Sequence, residues 1–223
     1  MAKPISSLVK TRRRLSRQDR HEQLVRVAWQ LVREEGTEAL SLGRLAERAE
    51  IAKPVVYDHF GTRAGLLAVL YQDFDARQTR LMDVALEDSD PTLESKATVI
   101  ASSYVDCVLL QGREIPGVIA ALAGSPELER IKRDYRAGFI EKCRRVLAPF
   151  TGDAGIATAG LWAMLGAADA VSEAAAMGDI SAGQARDELY EIILSLAARS
   201  LHGEARMAPS PATSVPPLDS FTR

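Results

Sequence analysis

Apolar residues recur through this chain at helical spacing, and most of the blocks they form open on a residue able to cap a helix. Ser16 with Asp19 three positions on reads as a capping box, followed by Leu24, Ala28 and Leu31 on one face and by Gly36 as a stop. Ser41 precedes Leu42, Leu45, Ala46 and Ala49, and Pro54 stands near the first turn of a further short segment, Lys53 to about Phe60. Thr62 opens a long helix with Leu67, Leu70, Phe74 and Leu81 on one side, fraying near Glu87. Beyond Pro91 come Leu93 to Val108, a short apolar piece from Pro116 to Ala123, and a helix from Ser125-Pro126 to Pro149. An alanine-rich helix from Asp153 to Met177 follows, then a last one that starts on the capping box Ser181 to Gln184 and ends before Gly203. Hairpin signals are missing, with no asparagine and no Asp-Gly pair anywhere in the chain. The expected fold class is all-α.

The 223 residues suffice to bury roughly 70% of the surface of the unfolded chain without staples. Two cysteines, Cys107 and Cys143, exclude a disulfide framework and a CxxC metal or redox pair. The longest apolar run, about Ala154 to Ala168, is too short and too interrupted for a bilayer span, and the basic N-terminus lacks the apolar region of a secretory signal. A cytoplasmic protein is expected, with no membrane partner. An enzyme is not: only His21, His59 and His202 are histidines, and HExxH, GxSxG and Gly-rich phosphate-loop patterns are all missing. No metal and no cofactor are expected.

Charge is unevenly spread. Residues 1–20 carry seven basic side chains against Asp19, residues 21–65 six basic against seven acidic, and the remainder 15 against 22. A basic head on an acidic body suggests an anionic partner for the N-terminal end, with a solvated tail as the plainer alternative. The organisation expected is a basic arm (1–17), a three-helix domain (18–76), a C-terminal helical domain (77–203) and a proline-containing disordered tail (204–223).

Residues 41–60 have the dimensions of a helix-turn-helix: two short helices around the three-residue break Glu50-Ile51-Ala52, with Leu45, Ala46, Ile51, Val56 and Phe60 as internal packing. A short helix held this way fits the roughly 12 Å wide major groove of DNA; an ordinary helical hairpin is the alternative. The run Leu40-Ser41-Leu42-Gly43-Arg44-Leu45-Ala46, then Ile51-Ala52-Lys53-Pro54-Val55-Val56-Tyr57-Asp58-His59-Phe60 and Gly61-Thr62-Arg63-Ala64-Gly65-Leu66-Leu67, resembles the TetR family of one-component transcriptional repressors. The resemblance in detail covers about residues 18–70; the rest is similar only in length and helix content.

That resemblance implies a homodimer on a near-palindromic double-stranded operator, released by a small, largely apolar effector. It places Ser41, Lys53, Pro54, Val55, Tyr57, His59, Thr62 and Arg63 at the DNA. Lys53 suits guanine O6 or N7, Pro54 a thymine methyl, Tyr57 a base or phosphate, and His59, Thr62 and Arg63 the backbone. Arg12, Arg13 and Arg14 of the arm would track phosphates or enter the minor groove. Three departures stand out: Glu50 where the family often has glycine, Ala52 in place of a serine-type cap, and Asp58 where it could repel phosphates. In similar proteins the last two long helices pair with their symmetry mates, which suggests an interface through Leu161, Leu189, Ile193 and Leu196. Tyr104, Cys107, Val108, Ile119, Tyr135, Phe139, Trp162 and Leu165 are candidate pocket walls, with Asp169 as a polar anchor. A thiol-redox trigger at Cys107 and Cys143 is the alternative to a ligand.

Overall fold

The structure is a computed structural model and describes residues 15–207; Arg12, Arg13 and Arg14 of the basic arm and the proline-containing tail from residue 208 lie outside the described residues. Among the described residues there are nine α-helices and no strand: α1 Arg17–Glu35, α2 Leu42–Ala49, α3 Lys53–Phe60, α4 Arg63–Asp88, α5 Leu93–Glu114, α6 Pro116–Leu122, α7 Pro126–Leu147, α8 Thr158–Met177 and α9 Ala182–Met207. A single 3₁₀ turn, Ala148–Phe150, follows α7.

The caps form where the sequence spacing places them. Ser16 Oγ accepts the Asp19 N–H at 3.0 Å while Asp19 accepts the Ser16 N–H at 3.3 Å. Ser181 and Gln184 exchange the same pair of bonds at 3.1 and 2.9 Å. Ser41, Thr62 and Ser125 each accept a backbone N–H three residues on, at 3.0–3.1 Å. Each satisfies a helix-end donor that would otherwise have no partner. Three expected boundaries move, among them that of α5, which runs past Val108 to Glu114. Helix α8 starts at Thr158 and not at Asp153, because the chain turns through Gly155 at φ +61°. Helix α9 runs through Gly203 to Met207, since a lone glycine costs a helix about 1 kcal/mol and does not stop it. Residues 204–207 therefore belong to the helix, not the tail.

The chain divides into two compact units. The first takes the residues up to Ala76 together with Ile115–Lys132. In it α1 packs on α2 and α2 on α3, around Leu24, Leu31, Leu45, Val56 and Leu66, all fully buried. Trp29 of α1 donates its indole N–H to Asp73 of α4 at 2.7 Å. Helix α6 closes against the loop after α1: a Cβ on Gly117 would lie 2.6 Å from Thr37 Oγ1, so this approach requires glycine. Helix α6 had been expected in the C-terminal domain; the apolar side chains Val118 and Leu122 are buried, and the contacts of its segment place it with the first unit.

The second unit takes Arg77–Glu114 and the residues from Arg133 onward. Helices α5, α8 and α9 pack on one another, with Ile100, Val105, Cys143, Leu161, Leu165 and Ile193 in a continuous apolar core. Each such side chain contributes about 1.5–3 kcal/mol through burial.

A reading helix and an apolar cavity as candidate sites

Helix α3 is positioned from both ends. At its start, α2 stops on Glu50, which adopts the left-handed conformation at φ 54°, ψ 45°. The Glu50 and Ile51 N–H groups then close on the carbonyls of Glu47 and Ala46 at 3.1 and 3.0 Å. The chain tolerates a side chain where glycine is the easier choice, at a cost of about 1–2 kcal/mol. Ala52 gives α3 no side-chain cap, and Pro54 sits in the first turn. At the other end a Cβ on Gly65 would come within 2.2 Å of the Phe60 carbonyl oxygen, so the α3–α4 turn depends on a glycine at that position.

Val56 and Phe60 hold α3 to the core, and this rotation turns Lys53, Pro54, Tyr57 and Asp58 outward. Tyr57 is 51% exposed despite its size. Ser41 and Thr62 act as caps, their hydroxyls already accepting backbone bonds, while Val55 is half-buried.

Two residues expected at a DNA backbone also make contacts within the chain. The Arg63 guanidinium donates to the carbonyls of Leu40 at 2.8 Å and Thr37 at 2.9 Å, which anchors the start of α4 to the α1–α2 loop. His59 is half-buried among rings, its centroid 5.6 Å from His21 and 6.1 Å from Phe60. Burial first, and then the charges of His21 and Arg17, push the His59 imidazolium below its ordinary pKa. His59 thus sits in a packed cluster of rings. Arg17 and Arg20, whose charges reach His59 from the first turn of α1, were not singled out in the sequence; their signal was membership of the basic run that precedes Leu24.

The second unit holds a cavity of about 240 Å³. Helix α5 contributes Ser103, Tyr104 and Cys107, α7 contributes Tyr135, Gly138, Phe139 and Lys142, and α4 contributes Gln78, Thr79 and Met82. Tyr104 and Phe139 pack with tilted rings, centroids 4.8 Å apart, and Tyr135 stacks on Phe139 at 6.3 Å. Of the wall expected from sequence, Tyr104, Cys107, Tyr135 and Phe139 meet here. The others do not. Ile119 lies in the first unit, Leu165 is in the core, Val108 packs against that core, and Trp162 is 49% exposed. Asp169 is not a wall residue either: it accepts the Tyr104 hydroxyl at 2.5 Å and pairs with Arg136 at 3.3 Å. Burial and then that bond to Asp169 hold the Tyr104 phenol well above its usual range, so it stays a donor. Lys142, Gln78, Thr79 and Ser103 were not anticipated. The one available signal was a lysine three residues after Phe139 on an otherwise apolar face.

The interface expected through Leu161, Leu189, Ile193 and Leu196 is corrected in the same way. All four are buried in the core of their own unit. A charge at Ile193 would thus disrupt the fold of the single chain before it could report on a dimer. Nor does a thiol trigger gain support: both cysteines are buried, and desolvation pushes the Cys143 thiol up to about 12, which leaves almost no reactive thiolate at neutral pH.

Among the described residues no group of three or more His, Cys, Asp or Glu could hold a metal ion, and no helix is long and apolar enough to cross a membrane. Residues 24–70 match the family model described as bacterial regulatory proteins, tetR family. No curated protein matches the chain. Among solved structures it is similar to a TetR/AcrR-family transcriptional regulator from Thermobifida fusca (22% identity, TM-score 0.57, covering 79% of this chain and 97% of that one). It is also similar to a TetR-family regulator from Streptomyces coelicolor (15%, 0.54, 82% and 96%). A third is the fatty acid degradation regulator FadR from Bacillus halodurans (14%, 0.56, 78% and 94%).

Proposed function

We propose that this chain, a DNA-binding transcriptional regulator of the TetR family through its residues 24–70, is a dimeric repressor that leaves its operator when a small, largely apolar molecule enters the α4–α5–α7 cavity. The observation that carries the reading is the rotation of α3. Val56 and Phe60 anchor it, and Lys53, Pro54 and Tyr57 are left on the exposed face of a short helix. Such a helix offers a guanine donor, an apolar edge for a thymine methyl and an aromatic hydroxyl to the major groove.

The effector acts by differential affinity. It favours a conformation in which the reading helices are wrongly set, and the operator favours the other. Helix α4 is the mechanical link, since Arg63 at its start is tied to the α1–α2 loop and its Gln78, Thr79 and Met82 form cavity wall. Reciprocity requires that operator weaken effector binding by the factor that effector weakens operator binding.

The proposed dimer seam is the outer face of α8. Ala159, Trp162, Ala163, Gly166, Ala170 and Met177 are all exposed along it. Small residues on that face let a second α8 approach closely, and Trp162 and Met177 supply apolar area to bury.

Selection of binding sites from random duplexes, followed by footprinting, tests the reading. A near-palindrome covered by one dimer is expected. Lys53→Ala should relax preference at one base pair per half-site by about 1–3 kcal/mol. Loss of neither affinity nor preference would overturn the assignment of α3.

A further inference from the structure

Among the described residues, Lys142 is the only charged one in the wall of the α4–α5–α7 cavity. Its side chain is only 12% exposed and its ammonium donates to Asp83 of α4, whose carboxylate is 47% exposed. The two ends of this pair are therefore unequal. The lysine is largely dry and needs an anionic partner wherever it stays. Asp83 is half in water and can be rehydrated if released. Other cations of the unit are held elsewhere: Lys96 by the Leu86 and Ser89 carbonyls and the Ser89 hydroxyl, Arg136 by Asp169, Arg186 by Asp106.

We infer that the effector is a one-ring aromatic monocarboxylate whose carboxylate replaces Asp83 on Lys142. This rests on the reading of the cavity as the effector site and names the class of molecule it takes. The ring follows from Tyr104, Tyr135 and Phe139, three aromatic side chains in one small wall. Size follows from the volume. At about 240 Å³ the cavity lies below the roughly 300–1,000 Å³ of clefts that take drug-sized ligands, which favours a single small ring over a larger molecule. A single negative charge follows from the single cation. Thr79, one helical turn before Asp83, adds a hydroxyl to the same α4 wall for the second carboxylate oxygen. The exchange is also a signal: Lys142 leaves α4 for the ligand, so filling the cavity cuts the ion pair that joins α4 to α7.

The test compares acids with their neutral isosteres on the full chain: benzoate, phenylacetate and 3-phenylpropanoate, each against its amide, by calorimetry and thermal shift at pH 7.5. At least one acid should bind ten-fold or more tighter than its amide. In Lys142→Met that preference should vanish, with the amide bound as well as the acid. Asp83→Asn removes the competing charge and leaves Lys142 only an amide oxygen, so the ligand-free variant should melt lower than the unmodified chain while the acid binds it several-fold tighter. Amides that bind unmodified protein as well as their acids, or an Asp83→Asn variant with unchanged acid affinity, would overturn the carboxylate assignment and leave the cavity reading standing. Binding of neither acids nor amides would overturn both.

Discussion

Arg63 and Tyr57 lie within seven positions of each other, yet they answer to different physics. Arg63 makes two charge-assisted bonds to the carbonyls of Thr37 and Leu40, each of a kind worth about 1.5–3 kcal/mol. Arg63→Ala should lower unfolding stability by about 2 kcal/mol or more in urea titration, and operator affinity should fall with it. Tyr57 is half in solvent and carries no such duty, so Tyr57→Ala should change stability by less than about 0.5 kcal/mol. Its operator affinity should nonetheless drop. Electrophoretic mobility shifts beside urea curves separate the two behaviours; a stability loss in Tyr57→Ala would make it a packing residue. The sequence motif assigned both residues to DNA because it records which residue type occurs, not which oxygen atoms the guanidinium reaches.

Helices α3 and α4 show what a weak end and a buried charge do to an element. Ala52 leaves the α3 start without a side-chain acceptor, so Ala52→Ser should add about 1 kcal/mol of stability by capping the first turn. The rise is read from the urea midpoint at unchanged slope. On α4, Asp75 is buried and its Oδ1 finds no hydrogen-bond partner among the described residues. Desolvation raises its pKa from 3.8 to about 7. Because the folded state holds this proton more tightly than the unfolded chain, the stabilising contribution is fully present below about pH 4. It is lost as pH rises from there through about 7. Asp75→Asn should flatten that decline, leaving the variant more stable than the unmodified chain at pH 8 and closer to it at pH 5. Thermal melts across pH 4–8 check this, and parallel curves for the two proteins would show that Asp75 does not titrate in that window.

For the assembled molecule, the question is which apolar surface is left over once each unit has closed its own core. Helix α8 gives Leu161, Met164, Leu165 and Ala168 to that core and keeps Ala163, Gly166 and Ala170 outside. A Cβ on Gly166 would meet nothing within 4 Å, so Gly166→Leu leaves the single chain undisturbed and improves helix propensity by about 1 kcal/mol. At the proposed seam the same side chain would hold two copies apart. Sedimentation should show monomers for Gly166→Leu with an undiminished melting temperature, and operator affinity should fall because half-sites are then bound singly. An intact dimer would move the seam off α8.

The side-chain-capped helix starts, the helix-turn-helix and the all-α class were legible in the sequence, because the interactions that set them are local, whereas α8, which has no side-chain cap, was misplaced. A cap joins residues three apart, as Ser16 to Asp19 or Ser181 to Gln184 does, and both partners stand side by side in the chain. The same holds for the α3 face, where Val56 and Phe60 sit one turn apart on the side opposite Lys53 and Tyr57. The cavity and the face that α8 turns inward were not legible in this way. Lys142 meets Asp83 across 59 positions, and Tyr104 meets Asp169 across 65. Leu161 and Ile193 read equally well as core or as interface, because an apolar helical face specifies that it will be covered and not by what. Which face turns inward is fixed by how α5, α8 and α9 rotate and pack against one another. That is a collective choice over many side chains, made when the core closes to native density.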